Sequence, residues 1–317
     1  MAVLEIQDLT VSFSGKNAVD KVSLYLNEGE IVGLVGESGC GKSLTAMSVL
    51  GLYPPNSNIK GKILYKNTNI LSLSEEAKRD IRGNKISLIP QDPLSALNPV
   101  FTIGDQISEV LETHKKINKK EALNVAVKTM ESINVPAARE RLSDYPHQFS
   151  GGMRQRALIA MALVTQPDVL IADEPTTALD VTIQLQILEI MKELKRKGKA
   201  VLLITHDLGV VSEVCDRVYV MYMGKIVENS TKEEILTNPK HPYTIGLLNS
   251  LPDENKKELT PIPGQPPGLN EIPSGCSFHT RCPHVFDRCR HEVPELFDIK
   301  DKTDHKSRCF LEVEKFS

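Results

Sequence analysis

The chain has 317 residues, 40% of them hydrophobic and 25% charged, with a formal net charge of −3. That length accommodates one large or two modest domains, and so slight an acidity gives no reason to expect nucleic acid as a partner. The longest uninterrupted apolar run, residues 157–164, has eight residues, far short of the roughly 18 that a membrane span needs. No basic stretch leads into an apolar core at the start, so no secretory signal is expected, and the chain is expected in the cytosol with its thiols reduced.

Residues 3–35 read as strands, with alternation at 3–6, 11–13 and 22–26 before the turn Asn27-Glu28-Gly29. Phe13 is either a core aromatic of this early sheet or a ring that stacks on a nucleotide base; its position alone leaves both open. The apolar strand 31–35 runs into Gly36, Glu37, Ser38, Gly39, Cys40, Gly41, Lys42 and Ser43, and a helix over 44–50 follows. This matches the phosphate-loop pattern G-x-x-x-x-G-K-S/T at every position, in the strand–loop–helix context the pattern needs. Successive backbone N–H groups wrap a triphosphate only where the loop turns tightly, which calls for glycines. The helix start at Lys42 and Leu44 aims its positive dipole end at the same phosphates. Lys42 is expected on the β- and γ-phosphates and the Ser43 hydroxyl on Mg²⁺. The alternative is a glycine-rich turn that binds nothing.

Further strands are expected at 59–64 and 86–89, the latter leaving the sheet at Pro90-Gln91-Asp92-Pro93. From about 92 to 167 the periodicity is helical, over 103–110, 119–133 and 152–164, which makes a helical insertion in an α/β pattern. Within it, Phe149-Ser150-Gly151-Gly152-Met153 opens a helix with a second anion-binding terminus. One nucleotide does not need two such devices in one chain; two chains face to face would use both. The continuous apolar run 169–172 suits a strand buried on both faces and ends in Asp173 and Glu174. Asp173 suits a Mg²⁺-coordinating carboxylate and Glu174 a group that orients the attacking water, though such a pair can also simply cap a turn. A helix over 181–197 and a strand over 200–204 lead to Thr205-His206-Asp207, and short elements at 217–222 and 225–228 end this part near residue 235.

In this order, the phosphate loop, Gln91, Ser150-Gly151-Gly152, Asp173-Glu174, Ala178-Leu179-Asp180 and His206 resemble the ATP-binding cassette (ABC) ATPases. The segments are similar to that family's Walker A, Q-loop, signature, Walker B, D-loop and switch histidine, and the resemblance covers about residues 3–235. It implies an α/β P-loop NTPase nucleotide-binding domain over 1–250, with a mixed sheet core and a helical subdomain at about 92–167. It implies ATP and Mg²⁺ as cofactors, adenine stacked on Phe13, and Gln91 joined to Ser43 and Asp173 at the metal. By the same resemblance Ser150, Gly151, Gly152 and Asp180 act at the nucleotide sandwich, and Glu174, His206 and Gln91 carry catalysis. Met153 departs from the family's signature glutamine; the phosphate contacts rest on Ser150 and backbone N–H groups, so function is expected to survive.

Prolines at 261, 263, 266, 267 and 273 mark an extended link within 251–317, followed by Cys276, Cys282, Cys289 and Cys309 in the spacing C-x5-C-x6-C-x19-C. Four thiolates suit tetrahedral Zn²⁺, with His279 as a spare ligand, or an iron–sulfur cluster, and the spacing does not decide. His241-Pro242-Tyr243-Thr244 and this tail are similar to the C-terminal region of dipeptide and oligopeptide importer ATPases, of the D-type subunit. That resemblance favours a 4Fe–4S cluster in a small metal-binding tail. It implies as partners a second, F-type ATPase, two membrane permeases and, indirectly, an extracytoplasmic solute-binding protein, with the chain at the cytoplasmic face of the cell membrane. An importer of nickel or another small solute stays open, because the cassette does not touch cargo; a soluble regulatory ABC protein is the alternative of another class.

Overall fold

The computed structural model describes residues 2–177, 180–250, 261–300, 302 and 304–314. Ala178 and Leu179 of the expected D-loop, and residues 251–260 of the expected link, lie outside them. The chain divides into two compact units: a phosphate-loop unit of Ala2–Leu26, Ile31–Leu71 and Leu203–Ser317, and a helical unit of Asn27–Glu30 and Ser72–Leu202.

The phosphate-loop unit begins with one long strand, Ala2–Phe13, where alternation suggested two short ones. Leu4 and Ile6 are buried, and so are Leu9 and Val11; the even and odd sets can share a face only if one residue is absorbed between them. The register to Ser57–Tyr65 does shift between Gln7 and Thr10, with Asp8 at φ 48. A β-bulge has joined the two stretches. This strand lies between Lys16–Asn27 and Ser57–Tyr65 in a four-stranded sheet that ends on Thr68–Asn69.

The same unit contains a mixed sheet. Ile31–Val35, buried at every position, runs parallel to Arg217–Tyr222 with Val32 opposite Arg217. Arg217–Tyr222 pairs antiparallel with Lys225–Thr231, which pairs antiparallel with Lys306–Ser307, which in turn pairs with Phe297–Asp298. Two short strands from the tail therefore extend the sheet. Glu228 holds this join. Its fully buried carboxylate accepts the backbone N–H groups of Lys240 at 2.6 Å and His241 at 2.9 Å, and lies 2.8 Å from His305 Nε2. Three partners offset the cost of burying the charge. They also explain why the strand runs on to Thr231, past the charged residue at which its sequence signal stops.

The helical unit pairs Ile86–Ile89 in parallel with Val169–Asp173. Between these strands the described residues form helices at Pro93–Ala96, Ile103–Lys115, Lys119–Ser132, Ala138–Arg141 and Gly151–Leu163, and no strand. Thr102, Asn118 and Ser150 cap three of these helices by accepting a backbone N–H from the first turn. Ile103, Ile107 and Leu111 form one buried stripe and Ala122, Ala126, Val127 and Met130 another. The Ile103–Lys115 helix outruns its sequence signal because its last turn carries only polar residues, including His114 and Lys115.

His241 caps the helix Pro242–Asn249, its Nδ1 accepting the Tyr243 N–H at 3.0 Å. Burial pushes its imidazole down to about 4; the Glu228 carboxylate opposes that shift, the Arg308 charge adds to it, and a hydrogen bond with the Arg308 backbone opposes it. The folded protein thus holds His241 neutral where the unfolded chain, at an ordinary 6.5, takes up a proton. This contribution to stability is whole above pH 6.5 and is lost as the pH falls toward 4, by up to about 1.4 kcal/mol per pH unit. Urea unfolding across that range should show the decline. His241→Asn, whose side-chain oxygen can take the same N–H, should flatten it; equal slopes in the two proteins would contradict the assignment.

Candidate functional site

In the phosphate-loop unit the buried strand Ile31–Val35 delivers the chain to residues 36–43, and the helix Lys42–Val49 leads away. Packing enforces the glycines. A Cβ on Gly36 would lie 2.2 Å from the Met221 carbonyl oxygen and 2.8 Å from Cys40 Sγ. Gly41 sits at φ 103, and a Cβ there would lie 2.8 Å from the Ala18 oxygen. Lys42 is only 5% exposed, and its ammonium group donates to the carbonyls of Gly36 at 2.7 Å and Glu37 at 2.9 Å. A compact positive charge is therefore already folded into the loop. Ser38, Gly39 and Ser43 face solvent. The Cys40 thiol is buried and its pKa raised by that burial, which makes it an inert packing group.

Glu37 is tied down at both ends. Its N–H donates to Tyr243 Oη at 2.8 Å, and its carboxylate takes both terminal nitrogens of Arg281, at 2.7 and 3.0 Å. Neither partner was given a role from sequence: Arg281 had no signal, and Tyr243 stood only within a motif. Phe13, at the end of its strand, is partly exposed and is not a core residue. His206 is exposed just past the strand Ala200–Thr205, and Asp207 caps the next helix by accepting the Gly209 N–H at 2.7 Å.

The helical unit carries the acidic residues. Val169–Asp173 is buried throughout, and Asp173 closes it. Glu174 follows at φ 45, a left-handed conformation that costs a non-glycine residue on the order of 1 kcal/mol. Gln91 Nε2 donates to Glu174 Oε2 at 3.0 Å, and Thr177 Oγ1 donates to the same oxygen at 3.1 Å. Two expected site residues 83 positions apart are thus in contact. Thr177 went unnoticed in the sequence, as did Gln155, whose amide donates to the Pro175 carbonyl at 2.8 Å and steadies the turn. Ser150 accepts the Met153 N–H at 3.3 Å, at the start of a 13-residue helix whose first glycine, Gly151, is exposed with open space around its Cα. Gly152 packs against Ile183. Asp180 is exposed and caps the helix Val181–Arg196 through the Ile183 N–H at 2.9 Å, a local role its sequence position did not suggest.

Cys276, Cys282, Cys289 and Cys309 are all free thiols, and all four line one small cavity that is partly open to solvent. Burial pushes the Cys276 thiol up to about 11 and that of Cys309 up to about 12. His279 also lines the cavity, its Nδ1 3.0 Å from the Cys276 carbonyl oxygen. The metal-binding tail expected from these cysteines is not established: among the described residues no three His, Cys, Asp or Glu side chains are grouped so as to hold a metal ion.

Residues 19–177 match the family model "ABC transporter", and residues 227–289 match "Oligopeptide/dipeptide transporter, C-terminal region". The chain is 52% identical to the dipeptide transport ATP-binding protein DppD of Bacillus subtilis (strain 168), over 98% of this chain and 95% of that protein. It is 46% identical to the oligopeptide transport ATP-binding protein OppD of Salmonella typhimurium, over 92% and 89% of the two chains. Among solved structures, the bacterial ABC transporter cassette MJ0796, described as a dimer in a post-hydrolysis state bound to ADP and Pi, superposes with a TM-score of 0.65. It is 26% identical, over 72% of this chain and 98% of that one. The protein cbiO1 of Clostridium perfringens, part of the ABC transporter complex cbiONQ, gives a TM-score of 0.64 at 25% identity, over 75% and 91%.

The loop geometry separates two kinds of glycine. Gly39, at φ 79 with nothing near its Cα, should tolerate alanine for about 1 kcal/mol of backbone strain. Gly36→Ala should cost several times more, about 3 kcal/mol or beyond, because a backbone carbonyl has to move. Chemical denaturation of the two variants checks the order; equal losses would refute the packing account.

Proposed function

The chain belongs to the ABC transporter family, and from that premise we propose that it is the ATP-hydrolysing subunit of an importer of dipeptides or oligopeptides. Near-full-length similarity to two peptide transport ATP-binding proteins supports the cargo class. The observation that carries the chemistry is Glu174, a carboxylate in a strained left-handed conformation, held by Gln91 and Thr177 directly after the buried Asp173. Strain of this kind persists where the surroundings over-determine it, as they do at catalytic positions.

The proposed roles follow from the side chains. Phe13 stacks on adenine. Lys42 and the N–H groups of residues 36–44 take the phosphates, and Ser43, Gln91 and Asp173 take Mg²⁺. Glu174 orients a water whose oxygen attacks the γ-phosphorus while the bond to the β–γ bridging oxygen breaks and ADP leaves; the water's proton passes toward the carboxylate. His206 contacts the γ-phosphate. The exposed helix start at Ser150, Gly151 and Gly152, with Asp180, serves ATP bound to a second cassette, a reading supported by the dimeric description of MJ0796. That second cassette would be an F-type ATPase subunit. Two permeases would hold the pair at the cytoplasmic face of the membrane, and a solute-binding protein outside would deliver peptide. The exposed apolar side chains of Leu94, Val100 and Phe101, close after Gln91 in the chain, suit a permease contact. Residues 1–250 would form the motor and 251–317 the importer-type C-terminal region.

We assign the cysteine cavity to a 4Fe–4S cluster. Four thiols line one cavity, and four thiolates, one per iron, are the ligand set such a cluster takes. A bound cluster would tie four points of the tail together and could exchange one electron.

Glu174→Gln should keep ATP binding but slow hydrolysis in the assembled transporter on the order of 10²-fold or more. Turnover near the wild-type rate would remove Glu174 from the proposed role. Protein purified without air should contain iron and acid-labile sulfide and lose both when Cys289 is changed to Ser; zinc in their place would refute the cluster.

A further inference from the structure

Arg281 sits between two of the tail cysteines in sequence, but its guanidinium reaches the phosphate loop. It is 6% exposed, and its Nε donates to the Pro263 carbonyl at 2.9 Å. Its terminal nitrogens engage both carboxylate oxygens of Glu37 at 2.7 and 3.0 Å, with longer bonds of 3.4 Å to Tyr222 Oη and the Gly264 carbonyl. The Tyr222 and Phe278 rings lie beside it, their centroids 5.8 and 5.9 Å from its guanidinium carbon, and pack with Tyr243 at centroid distances of 4.7 to 5.4 Å. A guanidinium held this fully has one geometry, and the paired fork transmits that geometry to Glu37.

Glu37 is the second residue of the phosphate loop, and its backbone passes the restraint on. Its N–H is bonded to Tyr243 Oη at 2.8 Å, and its carbonyl oxygen accepts the Lys42 ammonium at 2.9 Å and the Cys40 N–H at 3.4 Å. A single residue, Glu37, therefore stands between Arg281 and the lysine that meets the phosphates. Charge points the same way. The Glu37 carboxylate lies within a loop built for a polyanion, and without its partner it would repel the incoming triphosphate.

We propose that Arg281 is a positioning residue for nucleotide binding: by clamping and neutralising Glu37, the cysteine-rich tail sets the affinity of the phosphate loop for ATP. The proposal rests on the reading of residues 36–43 as an ATP site. It makes the tail part of the nucleotide site, a role that neither the phosphate-loop pattern nor the tail's cysteines assign to it.

The test is a double-mutant cycle on the full-length chain, reading the Kd of a fluorescent ATP analogue with Mg²⁺ and, in parallel, thermal unfolding. Arg281→Ala should weaken binding roughly tenfold or more, and Glu37→Gln in the same chain should restore part of the loss by removing the exposed negative charge. Arg281→Lys, which keeps the charge and loses the fork, should fall between wild type and Arg281→Ala, and it carries the test should Arg281→Ala fail to fold. If the variants melt earlier but bind ATP as wild type does, the clamp is structural only and the proposal is overturned. If wild type binds no nucleotide, the reading of the loop itself fails, a result distinct from unaltered binding in the variants.

Discussion

The tightest constraint in the phosphate-loop unit is the approach of one backbone to another at Gly36, where a side-chain carbon would stand 2.2 Å from the Met221 carbonyl oxygen. Such an approach is possible only because Ile31–Val35 and Arg217–Tyr222 lie side by side in parallel, which brings the loop and the end of its neighbouring strand together. The rest of the unit continues outward from that contact. Arg217–Tyr222 carries Lys225–Thr231, and Lys225–Thr231 carries the tail's short strand Lys306–Ser307. Tyr222 and Tyr243 pack against Phe278 of the tail, while Tyr243 and Arg281 hold Glu37 in the loop. Loop, sheet and tail are one continuous piece of packing, so strain at the loop is resisted by residues far away in sequence.

The helical unit solves a different problem, the presentation of a carboxylate at a strand end. Asp173 is buried as the strand closes, and the next residue turns sharply with Glu174 at φ 45. Gln91, leaving the adjacent parallel strand Ile86–Ile89, reaches across to hold Glu174, and Gln155 secures the turn behind it from the helix Gly151–Leu163. The helix that offers the Ser150 terminus thus also braces the turn that carries the acid. The segment proposed to contact a partner's nucleotide and the residue proposed to govern hydrolysis are linked by one amide, which fits a motor in which binding and catalysis are coupled.

Much of this was legible in the residues. The glycines of the loop, the apolar run before Asp173 and the Ser-Gly-Gly helix start are local signals, and the chain adopts the local forms they dictate. The strands at Ile86–Ile89 and Arg217–Tyr222 follow their patterns residue for residue. What escaped depends on distant partners. The bulge at Asp8 turned two expected strands into one. Glu228 looked like a strand end because a lone acid does not belong in a core; the residues that satisfy it come from 240, 241 and 305. The tail strands Phe297–Asp298 and Lys306–Ser307 are two residues each, too short for any period to register. The Arg281–Glu37 pair spans 244 positions, and nothing local marks either residue for the other.

The central claim, that this chain burns ATP to bring peptides into the cell, meets its most direct test in uptake. Cells lacking the chain, supplied with it or with its Glu174→Gln form, would be given labelled dipeptides and oligopeptides and their accumulation followed over time. The account predicts that uptake disappears without the chain, returns with the wild type and does not return with the variant. Peptide accumulation at the full rate in cells that lack the chain, with no second system for the same peptides present, would contradict it.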